Sequence, residues 1–280
     1  MKLLRVGEPG AERPAILDAA GQPRDLSGVV PDFAGDAVSP DALARIAALD
    51  TDSLPVIAAP HRIGPCLAWV PNFLCIGLNY ARHAAETGAA EPAEPILFSK
   101  TTSCLSGPND PVIIPRGAHK SDWEVELGVI IGRDTLYVAE DDALDHVAGY
   151  CVVNDVSERA FQAERGGQWI KGKSAPSFGP IGPWLVTADE VPDPQTLDLS
   201  LALNGETVQS SNTDDMIFSV RRIVSYLSRF MLLRAGDIIA TGTPSGVGLG
   251  MSPQRFLQPG DVMDLTVAGL GRQRQKVAAA

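Results

Sequence analysis

The sequence predicts a mixed α+β fold that is mainly β, with a small N-terminal α+β domain at residues 1–70 and a larger domain at residues 71–280. Short runs of β-branched and aromatic residues recur along the larger domain, as strands require. Segments with the apolar spacing of a helix are few. Gly 27 and Pro 22 are frequent but not periodic, which is typical of a β protein rich in loops.

The N-terminal segment predicts two short strands followed by one helix. Lys2–Val6 and Ala15–Asp18 are the strands, on either side of a Gly/Pro turn. Ser39 precedes Pro40 as a hydroxyl cap, so a helix is expected over Asp41–Leu49. A proline-spaced connector, residues 54–65, follows. Because this segment holds few candidate functional residues, we interpret it as a structural or dimerisation element.

The larger domain predicts many short strands and one long amphipathic helix. The helix is expected from about Asp214 to Leu233, because its apolar residues recur at helical spacing. The runs richest in strand-forming residues are Trp123–Ile131, Tyr150–Val153, Trp184–Val186, Asp198–Leu203, Asp237–Ala240 and Asp261–Val267.

Composition excludes several classes of protein. The net charge of −11 makes nucleic acid an unfavourable partner, since an acidic surface repels phosphates. No apolar run approaches the ~20 residues of a membrane span, and the apolar start Met1–Val6 stops too early for a signal peptide. The four cysteines form no CxxC pair, which indicates reduced packing residues. We therefore expect a cytoplasmic protein with no membrane partner.

Two glycine-rich motifs resemble nucleotide sites but lack the required context. Gly167–Ser174 matches the phosphate-loop pattern, yet the preceding residues are polar and Pro176 and Pro180 prevent a long helix from following. Gly246–Gly250 lacks the dinucleotide spacing, and Pro253 follows in place of a helix. We reject both motifs.

Three carboxylates form the strongest candidate site. Glu124 and Glu126 share one strand face, about 6.6–7 Å apart, and Asp155 directly follows the apolar run ending at Asn154. An exposed acidic strand face would be an ordinary alternative. Ile130 and Ile131, however, indicate a buried strand, where adjacent carboxylates require a cation between them. Oxygen ligands without clustered His or Cys favour Mg²⁺ or Mn²⁺, with Ca²⁺ as an alternative.

His83 and Glu86 form a second candidate pair. If Ala81–Thr87 is a helical turn, their spacing of three residues places both on one face. A carboxylate that orients an imidazole makes a general base near neutral pH. The alternative is a surface pair without function.

Together these segments resemble the fumarylacetoacetate hydrolase family, from about Phe73 to the C-terminus. The resemblance rests on five motifs in family order. They are Cys75–Glu86, Asp122–Gly132, Gly149–Gln162, Lys171–Pro183 and Gly236–Gly248, the last with Thr241-Gly242-Thr243-Pro244 at its centre. The run Ser174–Phe178 departs from the Asp-Thr pair common in relatives, which affects the expected pocket shape more than the expected reaction.

The resemblance implies a β-sandwich or β-roll catalytic domain, a homodimer, and a role for each matching residue. Glu124, Glu126 and Asp155 would bind the metal, Mg²⁺ or Mn²⁺. His83 with Glu86 would activate water, and Lys173 would face the substrate. Arg159, Gln162 and Thr243 would contact the substrate, a small 2-oxo acid.

The implied reaction is cleavage of the C3–C4 bond of a 2,4-diketo acid to pyruvate and a second acid. The subgroup it most resembles acts on sugar-acid diketo compounds, which implies L-2,4-diketo-3-deoxyrhamnonate and L-lactate. Alternatives at the same metal site are acylpyruvase, oxaloacetate decarboxylase, isomerase and ureidoglycolate lyase-like activities. A non-catalytic metal-binding scaffold is the alternative from another class.

Overall fold

The computed structural model of the chain describes residues 1–58, 61–86, 88 and 90–280, and strands dominate it, which confirms the mainly β fold. The strands, in chain order, are β1 (Lys2–Val6), β2 (Arg13–Leu17), β3 (Pro23–Asp25), β4 (Phe73–Gly77), β5 (Ile96–Lys100), β6 (Leu105–Ser106), β7 (Val112–Ile114), β8 (Ser121–Asp122), β9 (Val125–Ile131), β10 (Val147–Asn154), β11 (Ser157–Glu158), β12 (Gly179–Thr187), β13 (Asp198–Leu203), β14 (Glu206–Asn212), β15 (Ile238–Ala240), β16 (Val262–Val267) and β17 (Gly271–Ala279). The α-helices are α1 (Pro40–Ala47), α2 (Ala81–Glu86), α3 (Arg159–Ala163), α4 (Ile170–Lys173) and α5 (Val220–Leu227).

Two large sheets share one core. The larger runs in the order β3-β2-β1-β12-β10-β9-β15-β4-β5, with β6 attached to β12, and the smaller runs β14-β13-β16-β17-β7. Strands β8 and β11 form a separate pair. Strands β9 and β10 lie at the centre of the larger sheet and are buried along their whole length. Their antiparallel register pairs Val125 with Asn154, so the start of β9 and the end of β10 coincide.

The N-terminal segment extends the larger sheet. Strand β1 pairs with β12, with Leu3 opposite Leu185, and the side chain of Leu3 belongs to the same core cluster as β9 and β10. Helix α1 begins as expected, with the Ser39 hydroxyl accepting a hydrogen bond from Ala42 N at 3.3 Å. The division at residue 70 stays a prediction. Of the predicted connector at residues 54–65, residues 59 and 60 lie outside the described part of the chain.

The long amphipathic helix predicted over Asp214–Leu233 is shorter in the structure. Helix α5 spans Val220–Leu227, because the Ser219 hydroxyl accepts from Arg222 N at 3.2 Å and caps a new N-terminus. At the other end, the Ser228 hydroxyl accepts from Val138 N at 3.1 Å and donates to Ser225 O at 2.8 Å, and the helix ends there. The apolar spacing continues beyond both caps, since the flanking loops also pack on the core. The predicted length was therefore wrong, although the helix exists.

No helix in the described ranges is both long enough and apolar enough to cross a membrane. All four cysteines are buried and free of disulfides, as the absence of paired cysteine motifs indicated.

Buried amide side chains connect the two sheets. Gln273 on β17 donates from Nε2 to Val152 O at 2.8 Å and to Gly182 O at 3.1 Å. Gln209 on β14 accepts from Val125 N at 3.0 Å through Oε1. Buried polar groups are stable only when hydrogen-bonded, so these amides fix the smaller sheet against β9, β10 and β12.

Replacing Gln273 by Ala should lower the free energy of unfolding by about 2 kcal/mol, because buried carbonyl oxygens lose their donor and a void remains. Urea unfolding followed by circular dichroism measures the change. Gln258→Ala, at an exposed position, is the matched control and should change stability by less than about 0.5 kcal/mol. Equal effects of the two substitutions would contradict this role for Gln273.

Candidate metal and catalytic centre

Three buried carboxylates meet where β9 begins and β10 ends. Glu124 directly precedes β9, Glu126 lies within it, and Asp155 follows β10 and donates its backbone N–H to Glu124 O at 2.9 Å. One oxygen from each of the three side chains lies within 4.8 Å of the others. The three residues are at most 5% exposed. The structure thus brings the three predicted ligands around one point, with Glu124 one residue ahead of the strand in which it was placed.

Three cationic side chains surround the carboxylates. Lys173 Nζ donates to Glu124 Oε2 at 2.7 Å and to Asp155 Oδ2 at 2.8 Å. Arg159 Nη1 lies 2.7 Å from Glu124 Oε1. Lys100, at the end of β5, donates to Asp155 Oδ1 and is itself buried. Both oxygens of Glu124 and of Asp155 therefore face a cation of the protein.

Glu126 differs from its two neighbours. Its Oε2 accepts from Gly242 N at 2.8 Å, and no cation of the described residues is paired with it. Burial, together with the charges of Asp155 and Glu124, raises the pKa of the Glu126 carboxyl well above its usual range. Burial would also raise the pKa of Glu124, but Lys173 and Arg159 outweigh it and lower that pKa to about 2. Among the three carboxylates, Glu126 is therefore the one without a cationic partner in the described part of the chain.

The donor set fits a divalent cation. With Asp122, which binds Arg159, four carboxylates face the three cations Lys100, Arg159 and Lys173, so the cluster is one positive charge short. A divalent ion beside Glu126 would more than offset that deficit and leave one positive charge, which an anionic substrate would balance. Three carboxylate oxygens are the hard ligands that Mg²⁺ and Mn²⁺ prefer.

Arg159 is held in place by a carboxylate that the sequence did not identify. Asp122 Oδ2 accepts from Arg159 Nε at 2.9 Å and from Leu249 N at 3.0 Å, while Oδ1 accepts from Gly248 N at 2.7 Å. Asp122 therefore connects Arg159 to the loop after β15. Gln162, one turn along α3, accepts from Arg159 Nη1 at 3.3 Å.

The predicted His83–Glu86 pair lies on α2. Nδ1 of His83 lies 3.2 Å from Glu86 Oε2, and the residue is 6% exposed. Gly246 N donates to Glu86 Oε1 at 3.0 Å, so the pair is also connected to the loop after β15. Thr87, the last residue of the predicted turn, lies outside the described residues.

The hydroxyl of Thr243 is engaged with the protein. It donates to Val125 O at 3.0 Å and accepts from Gln209 Nε2 at 2.9 Å. Thr243 thus positions the loop that also carries Gly242 N, the donor to Glu126. Its predicted contact with the substrate stays a prediction.

A cavity of about 360 Å³ opens beside the carboxylates. Predicted residues that line it are His83, Glu124, Glu126, Arg159, Gln162, Lys173 and Thr243, while Glu86 and Asp155 support the lining from behind. Further lining residues are Ile76, Gly77, Leu78, Phe98, Lys120, Ala163, Glu164, Trp169 and Leu249. One space therefore holds the candidate metal site, the candidate base and Lys173.

Sequence reasoning missed Lys100, Asp122 and the aromatic pair Phe98 and Trp169. One available signal is a lysine two residues after the apolar run Ile96–Phe98, since Lys100 is the buried residue of a half-buried strand and a buried lysine requires a partner. Asp122 begins the motif that contains both glutamates, but its partner Arg159 is distant in sequence. No local pattern connects Phe98 with Trp169.

The family model described as fumarylacetoacetate (FAA) hydrolase C-terminal matches residues 72–278. The chain therefore has the mainly β fold of a family of enzymes. It belongs to the fumarylacetoacetate hydrolase family. A curated protein of Burkholderia multivorans, with no name more specific than hydrolase, is 57% identical over 100% of both chains.

Solved structures extend the comparison. The chain is similar to fumarylacetoacetate hydrolase of Exiguobacterium antarcticum, with 35% identity, TM-score 0.86 and 100% of both chains covered. It is similar to maleylpyruvate hydrolase of Sphingobium sp. SYK-6, in complex with manganese(II) and pyruvate, with 28% identity, TM-score 0.82 and 100% of both chains covered. It is also similar to 5-carboxymethyl-2-hydroxymuconate delta-isomerase of Mycobacterium smegmatis, with 28% identity, TM-score 0.77, and 100% and 99% covered. The family thus includes both hydrolases and an isomerase.

Replacing Glu126 by Gln should weaken Mn²⁺ binding by at least ~100-fold, because one ligand charge is lost, while the metal-free protein keeps or gains stability. Isothermal titration with Mn²⁺ and thermal unfolding in EDTA measure the two effects. Glu164→Gln is the matched control, since Glu164 lines the same cavity as an exposed residue outside the carboxylate cluster. Unchanged Mn²⁺ affinity in Glu126→Gln would contradict the assignment.

Proposed function

We propose that the chain is a divalent-metal-dependent hydrolase that cleaves the C3–C4 bond of a 2,4-diketo acid to pyruvate and a second carboxylic acid. The observation that carries the proposal is the meeting of Glu124, Glu126 and Asp155 beside the cavity that His83 and Lys173 line. The manganese and pyruvate in the similar maleylpyruvate hydrolase support it. L-2,4-diketo-3-deoxyrhamnonate, the specific substrate that the sequence resemblance implies, should be assayed as one candidate.

Glu124, Glu126 and Asp155 would hold the cation, with Lys173 and Lys100 fixing the oxygens of Asp155. When bound, a divalent cation supplies a Lewis acid that polarises the 2-oxo group and offsets the negative charge developing there. Arg159 keeps Glu124 ionised and oriented through its contact at 2.7 Å. The protein thus supplies ordered oxygen ligands on a rigid pair of strands.

His83 is the general base of the proposed reaction. Glu86 accepts from the ring at Nδ1, which fixes the orientation of the imidazole, and a basic Nε2 can take a proton from water. The hydroxide adds to C4, the C3–C4 bond breaks, and its electron pair passes through C3 to the C2 oxygen. C3 then takes a proton to give pyruvate, and the C4 fragment leaves as a carboxylate. Lys173, buried beside the carboxylates, stabilises the developing negative charge.

Isomerisation or decarboxylation of a 2-oxo acid is the second candidate, favoured by the similarity to a delta-isomerase. Decarboxylation requires no attacking water and leaves the His83–Glu86 pair at 3.2 Å without a role, whereas an isomerase could use the same pair to move a proton. We also propose a homodimer, which light scattering would test against the 29.6 kDa mass of one chain.

Purified protein with Mn²⁺ or Mg²⁺ should release pyruvate from acylpyruvates, and EDTA should abolish the release. A lactate dehydrogenase-coupled assay measures pyruvate, and liquid chromatography identifies the second acid. Oxaloacetate and L-2,4-diketo-3-deoxyrhamnonate complete the panel. Faster turnover of oxaloacetate than of every diketo acid would favour the decarboxylase, and no turnover at all with metal bound would indicate a scaffold.

Replacing His83 by Ala should lower kcat for an acylpyruvate by about 10²–10⁴-fold, since a positioned general base contributes that much, while Mn²⁺ affinity stays near wild type. Steady-state kinetics and titration calorimetry measure the two quantities. His61→Ala, outside the cavity lining, serves as control. A His83→Ala variant with full hydrolytic activity would rule out this base.

A further inference from the structure

We propose, resting on the proposed function, that the enzyme selects 2,4-diketo acids whose C4 substituent is an apolar group. The binding surface is the apolar wall, defined as Ile76, Leu78, Phe98, Trp169 and Leu249, all lining the cavity beside the carboxylates. A substrate held by its 2-oxo acid end at the carboxylate cluster would place its C4 substituent against this wall. The proposal therefore names the substrate class for the same site.

The apolar wall begins at the reacting centre. Lys173 Nζ, which bonds to Glu124 and Asp155, lies 5.0 Å from the centre of the Phe98 ring. Phe98 and Lys100 are two residues apart on β5 and so share one face of the strand. The ring of Trp169 meets that of Phe98 edge to face, with centroids 5.2 Å apart. A continuous aromatic surface thus leads away from the carboxylates.

The position of Trp169 is accommodated by Gly77 at the end of β4. A Cβ atom at residue 77 would lie 2.7 Å from Cζ3 of the Trp169 ring, closer than a real contact allows. The backbone of Gly77 is not in the left-handed region, so its conformation does not require glycine. Glycine is required because the indole ring of Trp169 occupies the space that a side chain would fill. Glycine at this position is therefore part of how the apolar wall is built.

Leu249 reaches the cavity from the loop after β15. Its N–H donates to Asp122 Oδ2 at 3.0 Å, the same oxygen that accepts from Arg159 Nε. The next residue, Gly250, lies against the carboxyl of Glu86, where a Cβ atom would come within 2.5 Å of Cδ. Leu249 is thus held by the carboxylate that fixes Arg159, and its neighbour Gly250 packs against Glu86.

Each charged side chain that lines the cavity has a partner within the protein, although Nη2 of Arg159 makes no hydrogen bond to any described residue. Arg159 and Lys173 bond to Glu124, and Lys120 forms an ion pair with Glu164 at 2.6 Å. A second carboxylate on the substrate would have to compete with Glu164 for Lys120. A hydroxyl next to C4 would face the apolar wall and lose hydrogen bonds to water. An apolar substituent avoids both costs, so we expect L-2,4-diketo-3-deoxyrhamnonate to be a poorer substrate than an unsubstituted acylpyruvate.

The test compares kcat/KM with Mn²⁺ for acetylpyruvate, butanoylpyruvate, benzoylpyruvate, L-2,4-diketo-3-deoxyrhamnonate and an acylpyruvate ending in a carboxylate. Burial of each additional methylene is worth about fourfold, so butanoylpyruvate should exceed acetylpyruvate by about tenfold or more. A flat series, or preference for the hydroxylated or carboxylate-terminated compound, would overturn this inference and leave the proposed function standing. No turnover of any diketo acid would overturn both.

Replacing Trp169 by Ala should reduce kcat/KM for butanoylpyruvate and benzoylpyruvate by about tenfold or more, and for acetylpyruvate by less than about threefold. Trp69→Ala is the matched control, because Trp69 is 59% exposed and outside the cavity lining. Mn²⁺ affinity of both variants shows that the centre is folded. An equal loss for all acylpyruvates in Trp169→Ala would show a structural role and overturn the inference.

Discussion

The mutual repulsion of three buried carboxylates is the constraint on which this structure depends. Glu124, Glu126 and Asp155 are forced together by the register of β9 against β10, and burial makes their charges costly. Lys100 and Lys173 neutralise part of that charge. They lie on separate segments of the chain, and each is buried and in direct contact with a carboxylate oxygen. The outer elements thus stabilise the acidic centre electrostatically, and Glu126 remains the carboxylate without a cationic partner among the described residues.

The loop after β15 supports the same centre through its backbone. Its N–H groups at Gly242, Gly246 and Gly248 donate to Glu126, Glu86 and Asp122, respectively. Close packing of Gly246 and Gly248 against other backbone segments explains the glycine run that resembles a dinucleotide motif. A Cβ atom on Gly246 would lie 1.9 Å from a backbone oxygen, and one on Gly248 would lie 1.8 Å from another. Glycine is needed there for packing.

The sequence predicts those features of the site whose signals lie within one short segment of the chain. The alternation of side chains along β9 and the position of Asp155 just after β10 were sufficient to bring the three carboxylates together. The partners Lys100 and Asp122 could not be found in this way, since Lys100 acts on a residue 55 positions away and Asp122 on a residue 37 positions away. Helix α5 was overestimated because apolar spacing reports burial, and its caps at Ser219 and Ser228 are weaker signals than the pattern they interrupt.

Helix α4 connects the chemistry to the recognition of substrate. Gly172 packs so closely on α3 that a Cβ atom would lie 2.5 Å from Glu158 O, which fixes the rotation of this short helix. Trp169, in helical conformation just before α4, and Lys173 are four residues apart and therefore share one face. A single helical turn thus sets Lys173 against the carboxylates and the indole ring against Phe98. Because one short turn carries both side chains, the chemistry and the substrate preference that we propose depend on the same element.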